Sequence, residues 1–257
     1  MEFWHMNGAG NDFLVLNTEG QPVDFEHLAK KYCAQFGADG LMGIAPSRIA
    51  DFKLHFYNAD GSRGELCGNG SRCVCRFAHA LGMVGDTMTV ETDAGLVYGQ
   101  RISESIYRVR LTCPEHLDLN RKEGIAYAEV GCPHAVKEWP GLRWQDKEAL
   151  RAEAKALRFD PAFPKGANVN FYTWLGSGHI RILTYERGVE DYTLACGTGT
   201  GAVAAVLWAQ GKLPGGKLVA ENQGGTLTVT IEGKDDQITA LLLEGPTEVT
   251  EILELNE

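Results

Sequence analysis

Two cysteines stand in the same short context. Cys67 opens Cys-Gly-Asn-Gly and Cys196 opens Cys-Gly-Thr-Gly, and LCGNGSRCVCRFAHALG (66–82) lies over ACGTGTGAVAAVLWAQG (195–211) without a gap. Each reads as a thiol, a glycine-rich turn, an apolar helix and a closing glycine, Gly82 or Gly211, at the C-cap. A thiol just ahead of a helix meets unpaired backbone N–H groups and the positive end of the helix dipole. That position lowers a thiol pKa from its usual ~8.5 and makes a thiolate available near neutral pH. The same N–H groups, with glycines permitting close approach, form a socket for a carboxylate. Each loop thus offers a base beside an anion site. Were the two halves to face one another, one thiol would take a proton from one side of a carbon and the other return one to the opposite side. That inverts a stereocentre, and the helix N-termini would stabilise the charge that develops on the way.

The elements that must position these loops repeat as well. DFKLHFYN leads into the first cysteine and HIRILTY into the second, while MTVETDAGLV and LVAENQGGTLTV follow the two helices. The order in each copy is strand, polar turn, Cys-Gly-x-Gly, helix, strand pair. The duplication predicts two domains, 1–112 and 113–246, divided where Cys113-Pro114-Glu115-His116-Leu117-Asp118 breaks the strand pattern. Thr247–Leu255 has no counterpart in the first half, so 247–257 is expected to cross back and complete the N-terminal sheet. Strands are expected at 3–6 and 13–16 around the turn Asn7–Asp12, at 124–130 and 135–138, and as a hairpin of 168–174 with 179–185. Helices are expected after Asp24 (Phe25, Leu28, Ala29, Tyr32, Cys33, Phe36) and after Asp146 (Leu150, Ala154, Leu157), each capped by its aspartate. Many strands with few helices indicate an α+β fold: two pseudo-symmetric domains, each a mixed or antiparallel β-sheet or barrel around a central helix.

Composition narrows the partner. The 257 residues are 44% apolar and 23% charged, as in a globular protein with a full core. A net charge of −10 with scattered basic residues gives no footprint for nucleic acid or an anionic membrane, which favours a small molecule. No window approaches a membrane span, and the start lacks the basic and apolar regions of a signal peptide, so the cytoplasm is expected. The seven cysteines are then reduced thiols. Cys33, Cys73, Cys75 and Cys113 read as packing, and nothing in the pattern alone sets Cys132 apart from them. A nucleotide-binding βαβ fingerprint, a P-loop and zinc-ligand spacing are all missing, so neither cofactor nor metal is expected.

The motifs HMNGAGNDFLVL, YNADGSRGELCGNGSRC, KGANVNF and ERGVEDYTLACGTGTGA, in that order, resemble the diaminopimelate epimerase family over nearly the whole chain. The resemblance implies a cofactor-independent epimerase that interconverts LL- and meso-diaminopimelate, in lysine and peptidoglycan-precursor synthesis, and admits a homodimer. It makes Cys67 and Cys196 the acid/base pair, with Gly68-Asn69 and Gly197-Thr198 holding the α-carboxylate through backbone N–H groups. It puts Asn11 and Glu186 near the α-ammonium, and Asn58, Asn168 and Arg187 at the distal amino-acid end. His134 matches a family histidine near the reacting carbon, whereas Cys132 stands where some members have asparagine. Two other readings stay open: a racemase or epimerase of another amino acid on the same scaffold, and a redox protein in which Cys67 and Cys196 form a reversible disulfide.

Overall fold

The computed structural model describes residues 1–64 and 67–255. Glu65 and Leu66, which lead into the first cysteine, and Asn256 and Glu257, at the end of the closing segment, lie outside the described residues. The fold is α+β, and the chain divides into two compact units, residues 1–110 with 244–257 and residues 111–243.

In the first unit Glu2–Gly8 and Asn11–Asn17 form a hairpin, Trp4 opposite Val15, turning through Ala9 and Gly10 at positive φ. The other edge of Glu2–Gly8 takes Glu248–Glu254 antiparallel, with Glu2 opposite Glu254. Asn11–Asn17 runs parallel to Gly40–Ala45, which pairs antiparallel with Phe52–Asn58. Phe52–Asn58 in turn lies parallel to Thr87–Thr92, whose other edge carries Gly95–Arg101 and then Ile106–Leu111. A parallel pair needs a crossover, and here the crossover is the first cysteine helix, Gly68–Ala80. That helix packs on Glu2–Gly8, Asn11–Asn17, Gly40–Ala45 and Gly95–Arg101, burying Val74, Phe77 and Ala78. Each fully buried Val or Phe contributes about 1.5–3 kcal/mol, so this face anchors the loop that precedes it.

The second unit repeats the device. His179–Glu186 lies parallel to Lys217–Asn222, and the crossover between them carries the second cysteine helix, Gly197–Ala209. Its sequence is apolar all round (AVAAVLWA), as a helix at the centre of a sheet must be, and ten of its residues are buried. Strands Leu117–Lys122, Ile125–Val130, Cys132–Glu138, Asn168–Gly176 and Gly225–Lys234 all touch it or flank those that do. Cys132–Glu138 and Asn168–Gly176 pair in parallel, His134 opposite Asn168 and Val136 opposite Asn170, which brings two rows of polar side chains to one place.

Three local expectations need correction. Leu117–Lys122 is a strand that the expected break at 113–118 partly overlaps; its two apolar residues, Leu117 and Leu119, are exposed, and it pairs with Ile125–Val130. Asp146 does not cap the helix Lys147–Arg158 with its side chain; its carboxylate accepts the Arg143 N–H at 2.9 Å and closes the 3₁₀ turn Trp144–Asp146. Asp24 does cap its helix, accepting the His27 N–H at 3.0 Å, but the stretch 25–36 widens into a π turn at Ala29–Cys33 before ending at left-handed Gly37.

Candidate active site

Cys67 is the N-cap of Gly68–Ala80. Its backbone is extended (φ −133°, ψ 116°), its Sγ accepts the Gly70 N–H at 3.5 Å, and its carbonyl accepts the Ser71 N–H at 2.7 Å. Cys196 reproduces this arrangement in the second unit: φ −123°, ψ 111°, the Gly199 N–H at 3.3 Å, and the Thr200 N–H at 2.9 Å. Both sulfurs therefore receive the orphan N–H groups of a helix start. A side chain at either donor would crowd its neighbours. A Cβ on Gly199 would lie 2.4 Å from Asn170 Oδ1 and 3.2 Å from Cys196 Sγ, and one on Gly70 would lie 1.9 Å from the Met42 methyl.

Around Cys67 the amides form a directed chain. Asn69 Oδ1 accepts from Arg72 Nη2 at 2.9 Å, Asn69 Nδ2 donates to Asn11 Oδ1 at 2.7 Å, and Asn11 Nδ2 donates to Asp39 Oδ2 at 3.0 Å. Because guanidinium only donates and carboxylate only accepts, both amide orientations are determined. Asn58 keeps to its own turn, donating to Ser62 Oγ at 3.0 Å. Its described hydrogen bonds link it to Ser62 and Gly61 and to nothing in the Cys67 group.

Around Cys196 the grouping is denser. Thr198 Oγ1 lies 3.5 Å from Cys196 Sγ and 3.9 Å from Cys132 Sγ. Cys132 Sγ also meets Asn168 Nδ2 at 3.3 Å and His134 Nε2 at 3.3 Å. Thr184 Oγ1 donates to Asn170 Oδ1 at 3.0 Å, which turns the Asn170 amide N–H groups toward Ala135 O and His134 Nδ1. His134 Nδ1 is then an acceptor and its proton sits on Nε2, aimed at Cys132. Asn168 Oδ1 accepts the Arg187 backbone N–H at 2.7 Å, while the Arg187 guanidinium donates to Lys165 O at 2.9 Å. Glu186 accepts the Thr193 hydroxyl at 2.6 Å, and its carboxylate acts electrostatically on Cys196.

At Cys196 the electrostatics depart from the helix-start argument. Burial first, and then the neighbouring Glu186 carboxylate, push Cys196 well above the ordinary thiol range, outweighing the Gly199 N–H and Thr198 hydroxyl that favour its anion. Burial also raises Glu186 and Cys132. His134, fully buried and facing the Arg187 charge, is pulled down to about 3 and is neutral. Cys73 and Cys75 are pushed up to about 12 and Cys33 to about 11, chiefly by burial, which leaves them as inert core thiols. Among the described residues no cluster of His, Cys, Asp and Glu is arranged to hold a metal ion, and no helix is long and apolar enough to cross a membrane.

The family model for diaminopimelate epimerase matches residues 3–104 and 126–249. The chain belongs to the diaminopimelate epimerase family. Curated diaminopimelate epimerases are similar over most of its length: that of Aquifex aeolicus is 38% identical over 82% of this chain and 82% of its own. The Chlorobaculum tepidum enzyme is 34% identical over 94% and 96%, and the Flavobacterium psychrophilum enzyme 31% identical over 96% and 97%. Solved structures share the fold at low identity. A Bacillus anthracis phenazine biosynthesis protein of the PhzF family gives a TM-score of 0.75 at 14% identity, covering 100% of this chain and 99% of that one. A probable proline racemase of Agrobacterium radiobacter gives 0.69 at 17%, covering 99% and 92%.

Within this diaminopimelate epimerase family member, the residues singled out from sequence fall into two local groups. Cys67, Gly68, Asn69 and Asn11 gather in the first unit; Cys196, Gly197, Thr198, Cys132, His134, Asn168 and Glu186 gather in the second, with Arg187 joined through its backbone. Sequence reasoning passed over Arg72, Asp39, Asn170 and Thr193. Asn170 had a signal: two positions from Asn168 on a strand, it shares that residue's face. Arg72 had one too, as a charge on the buried side of an apolar helix.

Proposed function

We propose that this chain epimerises diaminopimelate at its α-carbon without a cofactor, Cys67 and Cys196 acting as the two bases. The reading is carried by one observation: each thiol caps a buried helix and receives a glycine N–H, so each is paired with an anion-binding backbone suited to an α-carboxylate. One sulfur, as thiolate, takes the α-proton; the other, as thiol, delivers its own proton to the opposite face. The pair ends with the charges exchanged, and the reverse reaction uses them in opposite order. Backbone N–H groups of 68–69 and 197–198 hold the carboxylate and stabilise the charge that builds up on deprotonation. Asn11 and Glu186 serve the α-ammonium, and Asn58, Asn168 and Arg187 the distal end, with Cys132 beside Asn168 and with His134 near the reacting carbon. Seven thiols suit a reducing compartment, which supports the cytoplasm and a place in lysine and peptidoglycan-precursor synthesis.

The test is loss of the α-proton signal in D2O with LL-diaminopimelate and with a panel of other L-amino acids. Wild type should exchange diaminopimelate, and Cys67→Ser and Cys196→Ser should each lose roughly 10²–10⁴-fold, the usual weight of a positioned acid or base. Exchange confined to another amino acid would reassign the substrate. No exchange at all by reduced protein would end the enzyme reading.

A further inference from the structure

The two cysteine loops match in backbone and differ in what lies behind them. Five residues after Cys67 the helix carries Arg72; five after Cys196 it carries Gly201. Arg72 is fully buried and heads the side chains buried to that degree by volume. Its Nη2 donates to Asn69 Oδ1 at 2.9 Å, its Nη1 to Gly68 O at 3.4 Å, and its Nε has no hydrogen-bond partner. Both acceptors belong to the residues that follow Cys67.

Among the described residues this guanidinium has no carboxylate partner. The charged groups on the surrounding elements are committed elsewhere. Asp12 accepts from Asn7 at 3.1 Å and faces His5 at 3.7 Å; Asp39 accepts from Asn11 and the Asp12 N–H; Glu2 accepts from Trp4. Arg76 donates to Thr247 O, and Arg101 and His79 face Asp86. Of the three thiols whose charge acts on Arg72, Cys73 and Cys75 are held neutral by burial, and Cys67 is the partly exposed one. Burying an unpaired cation costs several kcal/mol, and a neutral side chain of similar size would satisfy two acceptors without that cost.

We propose that Arg72 is a positioning residue for Cys67: its buried charge keeps the Cys67 sulfur a thiolate in the unliganded protein, and its two donors set the Gly68-Asn69 loop. Beside Cys196 the facing charge is the Glu186 carboxylate, of opposite sign, so the resting state pairs a thiolate on Cys67 with a thiol on Cys196. Cys67 is then the resting base and Cys196 the resting acid. The catalytic role rests on the epimerase reading; the charge state does not.

The experiment uses the full chain without substrate. It is alkylated with iodoacetamide from about pH 5 to about pH 10, and the Cys67 peptide is quantified by mass spectrometry. In wild type the Cys67 inflection should fall at least one unit below the ordinary ~8.5. Arg72→Met should raise it by a unit or more, slowing alkylation at neutral pH at least tenfold, and Arg72→Lys should bring most of that shift back. A structural role alone would leave the inflection where it was. An unmoved inflection in folded Arg72→Met overturns the proposal, and so does a wild-type inflection at or above ~8.5, which decides the matter even if the Met variant does not fold. A low Cys67 inflection in a protein that exchanges no α-proton would instead defeat the epimerase reading alone.

Discussion

Gly199→Ala tests how closely the second loop is fitted. The added methyl would lie 2.4 Å from Asn170 Oδ1 and 3.2 Å from Cys196 Sγ, so one of the two must move. Asn170 is fully buried and tied at both ends of its amide, to Thr184, Ala135 and His134, and cannot retreat without leaving a buried polar group unpaired. Overpacking costs about 1–3 kcal/mol, and an orphaned buried acceptor about another 1–3 kcal/mol. For a chain of this size that is a fall in Tm of about 2–4 °C per kcal/mol. If the thiol moves instead, a misplacement of about 1 Å costs roughly 10²-fold in turnover. Gly70→Ala is the internal control, because its methyl meets the far end of Met42, a flexible thioether that can swing aside. Thermal unfolding and α-proton exchange should therefore rank the variants: Gly199→Ala well below Gly70→Ala in both. Wild-type stability and rate for Gly199→Ala would refute the reasoning, since Asn170 would then be yielding freely.

Cys132→Ala removes the sulfur that receives Asn168 and His134, leaving two buried donors unpaired, and should cost about 1–3 kcal/mol; Cys132→Ser, which still accepts, should recover most of it in urea titrations. His134 has a folded pKa of about 3 against ~6.5 when unfolded, so between those values the unfolded chain binds the extra proton. Its contribution is whole above ~6.5 and is lost as pH falls toward about 3, with a slope of up to ~1.4 kcal/mol per unit. His134→Gln should flatten that slope in urea titrations at successive pH values, and parallel curves for the two proteins would contradict the neutral, buried ring.

What the sequence discloses depends on range. The cysteine loops were legible because a thiol, two glycines and an apolar helix recur in register, and capping is decided within a few residues of the chain. The upward push on Cys196 was not, because it comes from burial among strands that are distant in the chain, with Glu186 carried in on His179–Glu186. Asn168 and His134 meet only because Cys132–Glu138 and Asn168–Gly176 pair in parallel, a register that no local pattern encodes. Asn58, singled out by resemblance, has its amide held within its own turn by a serine four positions away, a contact decided locally.

The strand Glu248–Glu254, paired along Glu2–Gly8, has a consequence for synthesis. The first unit begins the chain but takes its last strand from residues made after all of 111–243. The second unit is continuous, so on the ribosome it can complete its sheet while the first still lacks an edge. The unit whose strands are made first is thus completed after the other, and Glu2–Gly8 waits with an open side until Glu248–Glu254 has been made.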